Sequence, residues 1–195
     1  NIGPLDHAYV AAALTDGHVG PEGPFVRQFE VAVAARAGRK WAIATITGTA
    51  ALHACVATLW TKPTSVKLCI GRSAFPAMEN VLTNLGKPFM YCESGLNHDL
   101  VLYSRGLNYI IADRAPALGE PACLPADVEC YSFAANKTFT CGHGGAIVGD
   151  DYTIRDVLYS QITQGYGRPG RLNLRMANLN AALGWAQLDR FDELR

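Results

Sequence analysis

A lysine, an aspartate and a threonine–glycine turn are the groups whose types and settings could carry chemistry in this chain. Lys137 sits in the stretch Tyr131-Ser132-Phe133-Ala134-Ala135-Asn136-Lys137-Thr138, just past an apolar run, with Gly142-His143-Gly144-Gly145 after it. A lysine partly withdrawn from water in such a setting can serve as a nucleophilic amine and form a Schiff base with a carbonyl compound. A surface lysine in a turn leaves the same signature. Asp113 closes the run Ile110-Ile111-Ala112. At the C-terminal edge of an α/β sheet, where ligands bind, a carboxylate can hold a protonated heterocyclic nitrogen. It could equally cap the segment that follows. Thr47-Gly48-Thr49 joins an apolar strand to an apolar helix. Glycine admits an anion close to the backbone, and the hydroxyls and free N–H groups donate to it, as at a phosphate site. A plain helix cap explains the turn as well, and no Gly-Lys-Ser/Thr follows as in a P-loop. Arg168, Arg171 and Arg175 could clamp an anion or form a solvated face.

The elements that must position these groups follow from periodicity and breakers. Residues 6–16, 25–37, 50–60, 76–85, 152–162 and 177–194 read as helices, several ended by glycine. Residues 41–46, 65–70, 88–92, 109–113, 128–133 and 146–149 read as short apolar strands. Residues 17–24 and 164–170, rich in Gly and Pro, read as loops. Strands alternating with helices imply an α/β fold with a mostly parallel sheet. Residues 93–106 hold no convincing helix for a right-handed crossover, and the last helix runs to the chain end, so the sequence reads as a piece of something longer.

At 195 residues and 49% hydrophobic, the chain can bury a core without staples, and disorder is excluded as its main state. Seventeen basic residues balance seventeen acidic ones, which disfavours binding to nucleic acid or to a membrane surface. Charged residues make up 17%, below the roughly 25% of typical domains, which suggests a surface partly covered by another subunit. Six scattered cysteines without a C-x-x-C pair read as reduced core thiols. Cys141-Gly142-His143 lacks a second ligand pair, so no metal is expected. No apolar stretch approaches the ~20 residues of a membrane span. The chain starts at Asn1 without a signal-peptide pattern, so it reads as trimmed or processed, and as cytoplasmic.

Five stretches in order, T-G-T-A-A-L-H, I-A-D-R-A-P-A-L-G, Y-S-F-A-A-N-K-T, G-H-G-G-A-I-V and N-L-R-M-A-N-L-N-A-A-L-G-W-A-Q-L, together resemble the DegT/DnrJ/EryC1/StrS family. The opening G-H-V-G-P-E-G-P-F-V-R-Q-F-E is similar to that family's N-terminal segment. The resemblance implies a fold-type-I large domain that binds pyridoxal 5'-phosphate (PLP), an α/β/α sandwich, here shortened and without the C-terminal small domain. Its parts would be an N-terminal helical segment (1–40), a cofactor-binding core (41–150) and a helical segment at a dimer interface (151–195). The activity implied is transfer of an amino group from a donor such as L-glutamate to a nucleotide-linked keto-sugar. By the same resemblance Lys137 matches the lysine that carries the cofactor, and Asp113 the aspartate paired with the ring nitrogen. Thr47, Gly48, Thr49 and Ser132 match the phosphate site. Asn136 adjoins the lysine, and Phe75 lies near an aromatic that stacks on the ring. Asn173 matches an asparagine that reaches the phosphate from the neighbouring subunit, which implies a homodimer with a shared site.

The sequence also departs from the family. Pro116 stands where Gln or His usually lies near the cofactor's phenolic oxygen, and His143 replaces the Glu of a G-E-G-G turn. Residues 93–106 are shorter than the family's crossover. Dehydratase members carry histidine in place of the lysine, and this chain keeps lysine. The competing reading is a truncated, non-catalytic or regulatory relative with the fold and little PLP chemistry. A nicotinamide dehydrogenase is disfavoured, since no G-x-G-x-x-G follows a strand.

Overall fold

In this computed structural model the described residues are 2–60, 68–71, 76–92, 100–102, 109–121, 125–163 and 171–194. Helix α1 (Pro4–Thr15) has proline in its first turn, and Asp6 there accepts the Gly3 N–H at 2.6 Å. Helix α2 (Pro24–Ala37) buries Phe29 and Val33, four apart, on one face. It stops at Gly38, whose φ of +66° lets the Arg39 N–H close onto Ala34 O at 2.9 Å. The remaining elements are β1 (Trp41–Thr45), α3 (Gly48–Leu59), β2 (Leu68–Gly71), α4 (Pro76–Asn84) and β3 (Phe89–Cys92). They continue as β4 (Leu100–Leu102), β5 (Ile111–Asp113), β6 (Val128–Ser132), β7 (Gly145–Gly149), α5 (Tyr152–Thr163), α6 (Asn178–Asp189) and α7 (Phe191–Leu194).

Strands β1-β7-β6-β5-β4 form one sheet, and β2 pairs with β3 in a second. Strand alternation divides the core in two. Trp41, Ile43, Val128, Cys130 and Ile147 pack under α3, α4 and α5. Ala42, Ala44, Tyr131, Ala146 and Val148 pack on the other face against α2, α6 and α7. The result is an α/β/α sandwich of three layers.

The sheet is mixed rather than mostly parallel. Pairs β2–β3 and β5–β6 are parallel, while β1–β7, β6–β7 and β4–β5 are antiparallel. A parallel return needs a crossover long enough to span the sheet, usually a helix. Residues 133–144 turn straight back into β7, and residues 103–110 are too few for a helical crossover from β4 to β5. Strand β4 has no forecast in the periodicity, and the strand expected over 109–113 narrows to Ile111–Asp113. The last helix breaks at Arg190 (φ −117°, ψ 24°), whose guanidinium is drawn onto Asp6 of α1. Residues 65–67 of the expected second strand and the expected loop 164–170 lie outside the described residues.

Along β1, the Ala44 N–H is accepted by Glu30 Oε1 of α2 at 2.8 Å, and the Ile46 N–H by Leu174 O at 2.9 Å. Burial raises the Glu30 carboxyl from 4.5 to about 7, against the opposing pull of the Ala44 N–H, Arg155 and Arg27. A carboxyl whose pKa is higher folded than unfolded lends stability at low pH that is lost as pH rises from about 4.5 to about 7. Glu30→Gln keeps an oxygen for Ala44 and removes the charge. It should flatten the pH dependence of unfolding across that window and stabilise the chain at pH 8 by ~3 kcal/mol, read by urea denaturation at pH 5 and pH 8.

Candidate functional site

Three strand ends and one helix start converge at one edge of the sheet. The register aligns Thr45 with Gly145, and Gly145 with Ser132, in a row across β1, β7 and β6. Beside β6, Asp113 at the end of β5 aligns with Cys130, one pleat before Ser132. Helix α3 starts over this row with Thr47 as its N-cap, whose hydroxyl accepts the Ala50 N–H at 3.0 Å. Thr47 O takes the Ala51 N–H at 3.1 Å. Helix geometry leaves the Gly48 and Thr49 N–H groups without an intrahelical acceptor, pointing out of the positive end of α3.

The approach is too close for side chains. A methyl group on Gly48 would lie 2.7 Å from Ser132 Cβ, and one on Gly145 would lie 2.4 Å from the Thr47 carbonyl carbon. Glycine at both positions lets the helix start rest on the strand ends. Thr47, Gly48, Thr49 and Ser132, which the sequence places far apart, therefore share one cup.

Lys137 is half-buried on the β6–β7 turn, its N–H bonded to Ala134 O at 3.0 Å. The turn is held from inside by Phe133 and Phe139, whose ring centroids lie 4.7 Å apart. Phe133 O accepts the Cys141 N–H at 3.0 Å, and the turn closes with the Phe133 N–H on Gly144 O at 2.9 Å. From α6, Asn180 donates to Cys141 O at 2.8 Å. Lys137 lines a small cleft together with Ser132, Thr138, Ala115 and Pro116. Asp113 is 8% exposed at the head of the Ala115–Pro116 wall, and its Oδ1 accepts the Ala115 N–H at 3.1 Å. The helix cap that the sequence allowed for Asp113 is not formed, because turns rather than a helix follow it, and the carboxylate closes the first of those turns instead.

Other expected residues stand apart. Asn136 is exposed on the turn. Asn173 is exposed and accepts from Arg175 Nε at 3.0 Å, outside the lining of the Lys137 cleft. Arg171 donates to Ser160 O at 2.7 Å, and Arg175 pairs with Glu22. Phe75 and Arg168 lie outside the described residues.

Two arrangements carry no motif. Asn178, fully buried, caps α2 from afar: its Oδ1 accepts Phe25 N–H at 2.9 Å and its Nδ2 donates to His18 O at 2.6 Å. Beneath the cleft wall, Arg114, Glu129, Tyr131, Arg39 and Asp150 form one polar chain. The signal that could have found it is a glutamate inside the strand V-E-C-Y-S, where a charge needs a buried partner.

The family model described as the DegT/DnrJ/EryC1/StrS aminotransferase family matches residues 1–98 and 106–195. The chain belongs to that family. The seven residues that this DegT-family match skips, 99–105, contain β4. GDP-perosamine synthase of Vibrio cholerae is 28% identical over 97% of the chain and 64% of the relative. The enzyme of the same name from Caulobacter vibrioides is 27% identical over 95% of the chain and 62% of the relative. The chain thus spans less than two thirds of either DegT-family relative. A sugar aminotransferase from Streptococcus pneumoniae in its PLP form superposes with a TM-score of 0.83 at 18% identity, over 99% of this chain and 66% of that one. DesI, solved with its TDP-sugar product, superposes at 0.76 with 23% identity, over 97% of this chain and 58% of that one. At these identities the likeness bears on fold, and the fold is that of fold-type-I PLP aminotransferases. Among the described residues, no helix is long and apolar enough to cross a membrane.

Gly145→Ala should push β7 away from the head of α3. The expected loss is about 1–3 kcal/mol of unfolding free energy, measured by urea denaturation, with Gly20→Ala, where a Cβ meets open space, as the exposed control.

Proposed function

We propose that this chain is the cofactor-binding part of a PLP-dependent aminotransferase that moves an amino group from L-glutamate, or a similar donor, to a nucleotide-linked keto-sugar. The observation that carries the reading is the joining of the α3 cup, Asp113 and the half-buried Lys137 at one sheet edge. The cup offers two backbone N–H groups, the Thr49 and Ser132 hydroxyls and the positive end of a helix, a donor set that fits a phosphate ester. GDP-perosamine synthase relatives and the DesI–TDP-sugar complex support a sugar nucleotide as the class of acceptor.

PLP bound here supplies an electrophilic carbonyl carbon and an electron-accepting ring. Gly48, Thr49 and Ser132 hold its phosphate and so fix its orientation. Asp113 accepts the hydrogen of the ring nitrogen and keeps that nitrogen protonated. Lys137 would hold the cofactor through its amine, and that amine, when free, would take a proton from the donor's Cα. In the return half it delivers a proton to the sugar carbon. Asn173 points outward with the exposed Leu172 beside it, and a second subunit covering this face would receive Asn173 at its own cup. The segmentation into 1–40, 41–150 and 151–195, a dimer and a cytoplasmic setting belong to the same reading.

The deciding experiment is a visible absorption spectrum of the purified chain with added PLP, followed by borohydride reduction and peptide mapping. A band that bleaches on adding L-glutamate, with the label on Lys137, supports the reading, and Lys137→Ala should lose both band and label. No band, or label scattered over surface lysines, favours a relative that keeps the fold without its chemistry, in keeping with Pro116 on the cleft wall. Asn173→Ala should weaken PLP retention on dialysis by about tenfold, the worth of one hydrogen bond to a charged group, with sedimentation reporting the dimer.

A further inference from the structure

Arg114 follows Asp113 directly and is 3% exposed. Burying a guanidinium is unfavourable unless it is paired and fully hydrogen-bonded, so its partners define its purpose. Its backbone N–H donates to Cys130 O at 2.8 Å, extending the β5–β6 ladder one residue past Asp113. Nη2 donates to Glu120 O at 2.9 Å and to Pro121 O at 3.0 Å. Nη1 reaches Tyr131 Oη at 3.3 Å and Glu129 Oε2 at 3.4 Å. Glu129, 2% exposed, is itself fixed by Tyr131 Oη at 2.5 Å and by Arg39 Nη2 at 2.6 Å, and Arg39 continues to Asp150 at 2.7 Å. Burial and the bond to Glu129 both raise the Tyr131 phenol, which therefore stays a donor.

The guanidinium thus ties together both ends of segment 114–121. The middle of that segment, Ala115 and Pro116, is the cleft wall that faces Lys137. We infer that Arg114 is a positioning residue: through the backbone it shares with Asp113, and with Glu129 as its fixed counter-charge, it sets where the Asp113 carboxylate stands relative to the cleft. The inference rests on the reading of Asp113 as partner of the cofactor's ring nitrogen.

The test compares binding of PLP with binding of its deaza analogue, in which carbon replaces the ring nitrogen, by tryptophan fluorescence on the full chain. Variants are Asp113→Asn, Arg114→Met, Arg114→Lys and Glu129→Gln, with near-UV circular dichroism reporting the fold. The wild-type chain should prefer PLP by a factor on the order of tenfold, the worth of one charge-assisted hydrogen bond. Asp113→Asn should erase that preference. Arg114→Met should erase most of it, and adding Asp113→Asn to it should remove nothing more, since both act on one interaction. Arg114→Lys, which keeps the charge without the fork, and Glu129→Gln should lower the preference partway, and they carry the test if the Met variant does not fold. A purely structural anchor would weaken both ligands equally. An unchanged preference in the folded Arg114 and Glu129 variants, with Asp113→Asn effective, overturns the inference alone. Equal binding of the two ligands by the wild-type chain overturns the Asp113 reading and the inference with it.

Discussion

Backbone rests directly on backbone at the head of α3, and the candidate site depends on it. Gly145 touches the Thr47–Gly48 peptide and Gly48 touches Ser132, with no side chain between them. This contact explains why the sheet is mixed. Gly145 begins β7 and Ser132 ends β6, so only an antiparallel β7 sets them side by side. A parallel β7 would bring its far end, Gly149, to the cup. The turn forced by that reversal is the one that carries Lys137. One topological choice therefore positions the glycine contact, the serine and the lysine together, while the parallel β5–β6 pair delivers Asp113 to the same edge.

Much of this edge was legible because it is built from local signals. Thr47 caps its own helix, Gly48 and Gly145 stand where no side chain fits, and Lys137 follows a strand in a Gly/Thr run. The alternation of strands and helices was legible from apolar periodicity, and the three layers from the family resemblance. What escaped depends on partners distant in sequence. Nothing local marks Asn178 as the cap of a helix that starts at Pro24, and Gly23 before that helix reads as an ordinary turn glycine. Arg190 sits in a strong helical pattern, and its pairing with Asp6 near the other end of the chain accompanies the break there. Arg114 just past β5 looks like a stray charge, and Glu129 inside β6 shows a need for a partner without naming it, until the pairing of the two strands brings them together.

Strand β4 has a different origin. It lies in the one internal stretch that the family match skips, where the sequence offered no crossover helix. With only residues 103–110 between β4 and β5, an antiparallel pairing is the accessible one, and Leu100 comes to rest beside Asp113. The unmatched stretch thus lies at the outer neighbour of the aspartate strand, and the row Thr45–Gly145–Ser132 stands on the other side. An edge segment can reverse without moving the cup, because the cup is fixed by β1, β6, β7 and α3.

The charges are spent in an uneven way. In a chain with only 17% charged residues, Arg39, Arg114, Glu129 and Asp150 are gathered into one chain of hydrogen bonds from the start of β1 to the end of β5. Two cations and two anions sum to zero, so the network adds no net charge beneath the site. A buried ion network of this kind is a weak source of stability, since desolvation offsets most of its attraction. Apolar side chains of the same volume would hold the layers together as well. What they would lack is direction: a guanidinium fork fixes two carbonyls and a carboxylate at set angles, and a methyl group fixes none. The turn after Asp113 runs over exposed ground at Pro116, Gly119 and Glu120, where packing alone is a poor guide to shape. Direction is what that turn needs, and it is supplied at the residue next to the aspartate.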